Sequence, residues 1–387
     1  MKNLWEPQGA VGKFVFVLLI FIPLCSTAQE TKPEEVTEMK EKRIQIYTAN
    51  PRYWQYKGEP ILLIGGSVED NLFQIPNLKT HLELLKSVGG NYVRSTMSWV
   101  DEGDVPPFKK VGDRFDLNQW NDEFWRRFRT FITLTHELDI IVQIDVWATF
   151  NYYREPWDAN PFNPKNNSNY TAEETGLPTV VKSHPVATEN NFFWSVPKER
   201  DQQLVLKYQQ KFVDKLLSET LQYGHVLYCM DNETAVTPTW GEYWAKYIQK
   251  QAAEAGRVVE TTEMWDPWDI SDDKHKATFD HPETYSFCDI SQNNHQKRQR
   301  HWDNAQKYRA ELSPIRPINN IKIYGADGGS VNINFSPAER IDTKKRTIKW
   351  LNIAKSEWTQ EEEIPLSDSR SLSAPTKDHW AVLIQLR

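Results

Sequence analysis

Cysteine is nearly absent from this chain. Its 387 residues include 3 cysteines, and Cys25 lies in an N-terminal apolar run, which leaves Cys229 and Cys288 for any folded domain. A disulfide-stapled scaffold is therefore excluded, and both thiols sit in apolar, strand-like runs that read as buried and inert. There is no HExxH, no CxxC and no Cys-Gly elbow, and His81, His136, His184, His275, His281, His295 and His301 are scattered without ligand spacing. Neither a metal nor a cofactor is expected. The acidic stretch from Asp266 to Glu283 lacks the spacing of a calcium loop and reads as solvated charge. Basic charge is also in short supply. Lys plus Arg number 46 against 53 Asp plus Glu, a net −7, so no field exists to hold a phosphate backbone, and nucleic acid is excluded as a partner.

The N-terminal segment reads as a signal peptide over residues 1–28. Lys2 and Lys13 precede an apolar run from Phe14 to Leu24, and Ser26-Thr27-Ala28 offers small residues for cleavage before Gln29. The run is too short to span a bilayer comfortably, and no transmembrane segment is expected after cleavage. The expected destination is secreted or periplasmic. A lipoprotein anchored through Cys25 is the lesser alternative, because bulky Leu24 precedes that cysteine.

Beyond the signal, short apolar runs alternate with long amphipathic stretches, the pattern of a parallel sheet with crossover helices. The runs are Ile61 to Ser67, Tyr92 to Trp99, Ile140 to Ala148, His225 to Glu233, Val258 to Asp266, Tyr285 to Asn294 and Arg316 to Gly325. Each begins apolar and ends polar or aromatic, as barrel strands do when their C-terminal ends form the active face. Helices are expected over Asn77 to Val88, Leu117 to Leu138, Lys198 to Tyr223, Trp240 to Ala255 and His295 to Leu312. In the third, Leu204, Tyr208, Phe212 and Leu216 form one stripe, with Gly224 as its terminator. The stretch from Phe150 to Pro197 is too long for an ordinary βα connection and reads as a functional loop. From Ser330 the texture turns to β. The expected architecture is α/β: a TIM-type (β/α) barrel over 43–327, then a small C-terminal β-sandwich over 328–387, which Arg43 to Tyr47 could join. Too few residues separate Gly325 from Val331 for a further βα unit of about 30 residues, so the barrel is expected to be incomplete, with seven strands.

The most informative string is His225-Val-Leu-Tyr-Cys-Met-Asp-Asn-Glu233, an apolar strand that ends abruptly in three polar residues. Glycoside cleavage needs one carboxylic acid for the leaving oxygen and a second carboxylate as nucleophile or base. Here the chain resembles the retaining (β/α)-barrel glycosidases of clan A, in which Asn-Glu at the end of the fourth strand supplies the acid/base. Asn232-Glu233 ends the fourth strand in this count. Cellulase-like bacterial proteins are similar in Asn50-Pro-Arg-Tyr-Trp54, in Leu63-Ile-Gly-Gly-Ser67 and in a closing β domain often labelled collagen-binding. The resemblance covers nearly all of the mature chain and implies Glu233 as acid/base and Asn232 as a sugar contact. It also implies a nucleophilic Glu after strand seven, where this chain has only Asp327. Glu263 and Asp327 are the next catalytic candidates, and Asp145, Asp266 and Asp289 are further strand-end carboxylates.

The 16 tryptophans are many, and flat rings at strand ends suit stacking on sugars. Expected substrate-binding residues are Asn232, Asp145, Trp99, Trp147, Tyr152, Trp157 and Trp265, with Tyr153, Trp194, Trp240 and Trp268 on the same face. Trp125, Trp302, Trp350 and Trp380 are expected in the core. The function implied is an exported glycosidase acting on a poly- or oligosaccharide. The alternatives are a barrel remnant that binds carbohydrate without cleaving it and, more weakly, an adhesion module built on the β domain.

Overall fold

The computed structural model describes residues 42–184, 189–296, 299–320, 326–327, 330–334, 346–352, 357–364, 369–376 and 379–386. The segment read as a signal peptide and residues 321–325 of the expected seventh strand lie outside these. The chain enters through a three-stranded antiparallel sheet, β1 (Gln45–Ile46), β2 (Trp54–Tyr56) and β3 (Glu59–Ile61). Arg43 to Tyr47 thus belongs to this sheet and not to the C-terminal one. Ile44, Trp54 and Tyr56 pack on Tyr92, Ile141, Leu227 and Phe287, residues at the N-terminal ends of barrel strands, so the sheet plugs that end of the barrel.

The next elements are α1 (Leu78–Ser87), β4 (Tyr92–Thr96), a hairpin of β5 (Phe108–Val111) and β6 (Arg114–Trp120), α2 (Asp122–Glu137), β7 (Ile141–Ala148), α3 (Gln203–Thr220), β8 (Val226–Asn232), α4 (Pro238–Glu254) and β9 (Glu260–Thr262). They are followed by β10 (Cys288–Asp289), α5 (Gln299–Glu311) and β11 (Ile318–Asn319). The order β4-β7-β8-β9 is parallel throughout, as is β10-β11. β9 is joined to the approach of β10 by Ser286 N donating to Thr261 O over 3.0 Å. The expected first strand is reduced to a parallel bridge, Gly65 to Tyr92, supplemented by the Asn91 side chain, whose Oδ1 accepts from Ile64 N at 2.8 Å. A Cβ at Gly65 would stand 1.6 Å from the Tyr92 carbonyl oxygen, so only glycine allows this approach. At the other end of the series, Asn319 of β11 donates to Tyr92 OH at 3.4 Å and accepts from Trp54 Nε1 at 2.9 Å. The parallel strands therefore curve round in barrel order until side chains of β11, β2 and β4 touch.

Helix placement follows from apolar spacing. In α2, capped by Asn121, the residues Phe124, Trp125, Phe128, Phe131 and Ile132 face inward. In α3 the stripe Tyr208, Phe212 and Leu216 is buried, but the helix stops at Thr220, short of Gly224. Gly224 lies instead against Arg43, its carbonyl accepting from Ile44 N at 2.6 Å. The long segment after β7 is held by asparagines rather than by regular structure. Asn160, Asn163, Asn167 and Asn190 are fully buried and each bonds its own backbone two or three residues on. This framework carries Tyr152, Trp157, Phe162, Phe192 and Phe193 into the main core.

The C-terminal residues form antiparallel sheets: β12 (Ala326–Asp327), β14 (Arg346–Asn352), β15 (Glu357–Trp358), β16 (Glu362–Ile364) and β18 (His379–Leu386) in one, β13 (Ser330–Asn334) and β17 (Ser369–Ser373) in the other. Ile348, Trp350 and Ile364 of the first share a small core with Leu372 of the second.

Candidate active site

The polar interior of the barrel centres on Arg94. Its guanidinium is almost fully buried, donates to Asn232 Oδ1 at 2.5 Å, pairs with Asp145 Oδ2 at 3.2 Å and bonds the Asp70 carboxylate. A buried charge persists only when paired in this way, and removing one partner leaves the other exposed to the full desolvation cost. Burial works against the Arg94 charge, but Asp145, Asp70, Asp289 and Glu233 outweigh it and hold the group firmly protonated. Below it, Gln143 Nε2 donates to Asp145 Oδ1 at 3.2 Å and to Asp289 Oδ2 at 2.6 Å, and Tyr92 OH donates to Gln143 Oε1 at 2.7 Å. Burial pushes the Asp145 carboxyl up to about 7 against the pull of Arg94. Asp145 thus anchors Arg94 at the base of the site rather than presenting itself to a ligand.

Glu233 stands one residue past the end of β8, half-buried, at φ +54°. A non-glycine residue in the left-handed region costs about 1–3 kcal/mol and persists only where its surroundings impose it. They do so here from both sides. Thr149 Oγ1 donates to Asn232 O at 2.6 Å, Thr234 N donates to Met264 O at 2.8 Å, and Asp266 N donates to Thr234 O at 3.0 Å. Asp266 is the second carboxylate of the site. Burial raises its pKa and the Glu233 charge adds to that, against His184, Lys274 and His295. Tyr153 feels Glu233 as well, and its ring meets His184 at 5.4 Å and carries the Arg154 guanidinium at 5.3 Å. Beyond Asp266, Trp268 is 57% exposed and lies flat on His295, with ring centroids 4.1 Å apart and planes at 14°.

The expected residues divide accordingly. Asn232, Asp145 and Glu233 come together around Arg94. Glu263, three residues before Asp266, turns away: it is 1% exposed, and its carboxylate takes the backbone N–H of Asp231 and Met264 between the sheet and α4. Asp327 belongs to β12, which pairs antiparallel with β18, placing Asp327 opposite His379 in the C-terminal sheet. Trp147, Tyr152, Trp157 and Trp265 are buried at 0–2% and serve as core, Trp147 within an aromatic group that includes Phe212, Trp240 and Trp244. Trp99 is partly buried against Phe124. The exposed ring of this face is Trp268. Arg94 carried no catalytic signature in the sequence beyond a charge inside an apolar strand, and that signal could have found it. Among the described residues no group of His, Cys, Asp and Glu is arranged to hold a metal ion, and no helix is long and apolar enough to cross a membrane.

No protein-family profile and no curated protein matches the chain. Among solved structures, it is similar to a glycoside hydrolase family 5 mannosidase from Rhizomucor miehei, 14% identical over 72% of each chain with a TM-score of 0.48. It is also similar to a glycoside hydrolase family 5 protein from Bacteroides vulgatus, 10% identical over 90% of this chain and 93% of the other, TM-score 0.48. A β-mannanase from the blue mussel Mytilus edulis is 13% identical over 64% and 74%, TM-score 0.38.

Proposed function

We propose that the chain is an exported glycoside hydrolase that cleaves O-glycosidic bonds of a poly- or oligosaccharide with two carboxylates, Glu233 as acid/base and Asp266 as its partner. The observation that carries this reading is the strained Glu233 at a barrel strand end, with charged Arg94 below it and Asp266 beside it. Burial and the Glu233 charge raise the Asp266 carboxyl, which favours one proton between the two acids over two ionised groups. That proton is what a leaving oxygen requires, while the ionised partner offers the nucleophile or base. In this reading Asn232, held by Arg94, bonds a sugar hydroxyl through its amide nitrogen, and the Trp268–His295 stack offers a flat apolar face for a sugar ring. The barrel is read as seven-stranded, counting the Gly65 segment beside β4, with Trp54 filling the space between β11 and that segment, and the C-terminal sheets as a sandwich. Residues 1–28 are read as a cleaved export signal with a secreted or periplasmic product.

The test is hydrolysis of a polysaccharide panel by purified protein, followed by Glu233→Gln and Asp266→Asn. Loss of the acid should lower the rate about 100-fold or more on natural linkages. It should cost little on an aryl glycoside with a strongly acidic leaving group, which needs no proton. Rates within twofold of the parent for Glu233→Gln on natural linkages would remove Glu233 from the mechanism. A second reading is a barrel remnant that binds carbohydrate without cleaving it. It is favoured by the lack of a Glu in Arg316 to Asn320 and by the remote position of Asp327. Binding without turnover by the parent protein would select it.

A further inference from the structure

Asp231 and Glu263 are two buried acids that the reaction proposed above leaves unused. The β8–β9 ladder pairs Leu227 with Glu260, Tyr228 with Thr261 and Cys229 with Thr262, and there it stops. Backbone contact resumes at Thr234 N to Met264 O, beyond Glu233. In the interval Glu263 Oε1 takes the place of a strand carbonyl, accepting from Asp231 N at 3.0 Å and from Met264 N at 3.2 Å. The Asp231 carboxyl is fixed from the helix side by Trp240 Nε1, at 2.9 and 3.2 Å from its two oxygens. The two carboxyls lie within hydrogen-bonding reach of each other, and Glu263 Oε2 has no donor from any other group. α4 closes over them: a Cβ at Gly241 would stand 2.1 Å from Glu263 Oε2.

Two acids in van der Waals surroundings this dry do not both ionise. Burial pushes both well above the usual carboxylate range, with the Asp231 charge adding to the effect at Glu263 and the Trp240 hydrogen bond opposing it at Asp231. The other titratable groups facing the pair are Asp145, Tyr152, Cys229 and Tyr285, and none of these is a cation. We propose that Glu263 is a positioning residue: sharing one proton with Asp231, it splices β8 to β9 at the break in the ladder and so fixes the backbone that presents Asn232 and Glu233. The consequence for catalysis rests on the acid/base reading of Glu233, while the splice itself does not.

The experiment compares the parent with Glu263→Gln, Asp231→Asn and Glu263→Leu. Gln at 263 accepts the same two N–H groups and donates to Asp231 in place of the shared proton, and Asn at 231 supplies the equivalent donor. Infrared difference spectra at neutral pH should show a protonated carboxyl in the parent that disappears in Glu263→Gln and in Asp231→Asn. Hydrogen exchange at the Asp231 and Met264 amides should stay slow in Glu263→Gln and become at least about tenfold faster in Glu263→Leu, as expected when a local hydrogen bond is lost. On a hydrolysed substrate Glu263→Leu should lower kcat about 100-fold with KM nearly unchanged, because a misplacement of about 1 Å costs that much, and Glu263→Gln should restore it. If Glu263→Leu does not fold, Glu263→Asp, which keeps the acid but withdraws it by one methylene, replaces it. A parent spectrum with no protonated carboxyl lost in either isosteric variant overturns the shared proton. Unchanged amide exchange in Glu263→Leu overturns the splice. An unchanged kcat in Glu263→Leu alongside faster exchange overturns its role in positioning Glu233. If no substrate is hydrolysed at all, the functional reading falls, and the spectra and exchange rates still decide the splice.

Discussion

The left-handed conformation of Glu233 makes a prediction that needs no substrate. Replacing Glu233 by Ala or by Gly removes the carboxylate in both cases, so the difference between the two variants isolates the backbone. At φ +54° an L-residue carries roughly 1–2 kcal/mol of steric cost that glycine does not. Against this, glycine gains unfolded-state freedom worth about 0.4–1 kcal/mol. Glu233→Gly should therefore be the more stable variant by about 1 kcal/mol, or about 2 °C in Tm for a chain of this size. At an exposed helical position the sign reverses. Lys207 of α3 is such a control, where Ala should exceed Gly by about 1 kcal/mol. Near-ultraviolet circular dichroism, to which the buried aromatic group around Trp147 contributes, follows the unfolding. If Glu233→Ala equals or exceeds Glu233→Gly while Lys207 behaves normally, the backbone at 233 is not strained, and the argument that function holds it there loses its basis.

Three further outcomes are expected. His225 is buried and neutral, its pKa pushed down to about 3 mainly by burial, with His136 adding to the effect. Its contribution to stability is therefore complete above the unfolded value near 6.5 and is lost as pH falls from there toward 3. At pH 5 this loss is about 2 kcal/mol, and calorimetry from pH 7.5 to 5 should show a shallower decline in His225→Gln than in the parent. Gly241→Ala in the first turn of α4 would ordinarily help the helix by about 1 kcal/mol, but the added methyl meets Glu263 Oε2 and should lower Tm instead. A raised Tm would refute the packing described there. Trp268→Ala should weaken oligosaccharide binding about 2- to 10-fold by calorimetry, the range for one aromatic contact, and unchanged affinity would assign the ring to loop packing.

The sequence by itself determined the β/α alternation and the stretch where polar residues crowd the end of an apolar strand, because both are local patterns. Apolar periodicity places α2 and α3, and the Asp231-Asn-Glu string marks the end of β8. It could not determine which way the side chains near a strand end point. In β7 and β8 the ladder registers Asp145 with Cys229 and Trp147 with Asp231 but omits Val146 and Met230. The strict two-residue alternation fails there, and Trp147 joins Val146 against the helices instead of returning to the lumen. The same break sends Asp231 toward Trp240 and Asn232 toward Arg94. Glu263 and Asp266 exchange their expected places for a related reason, since β9 ends at Thr262 and the chain beyond it follows Thr234 rather than a strand period. The burial of Tyr152 and Trp157 depended on buried asparagines that fold a long loop onto the core. The position of Asp327 depended on pairing with His379, 52 residues away in sequence. Pattern is a property of neighbours along the chain, whereas register, ladder breaks and long-range pairing are decided by which segments compete for the same hydrogen bonds once the chain has closed on itself.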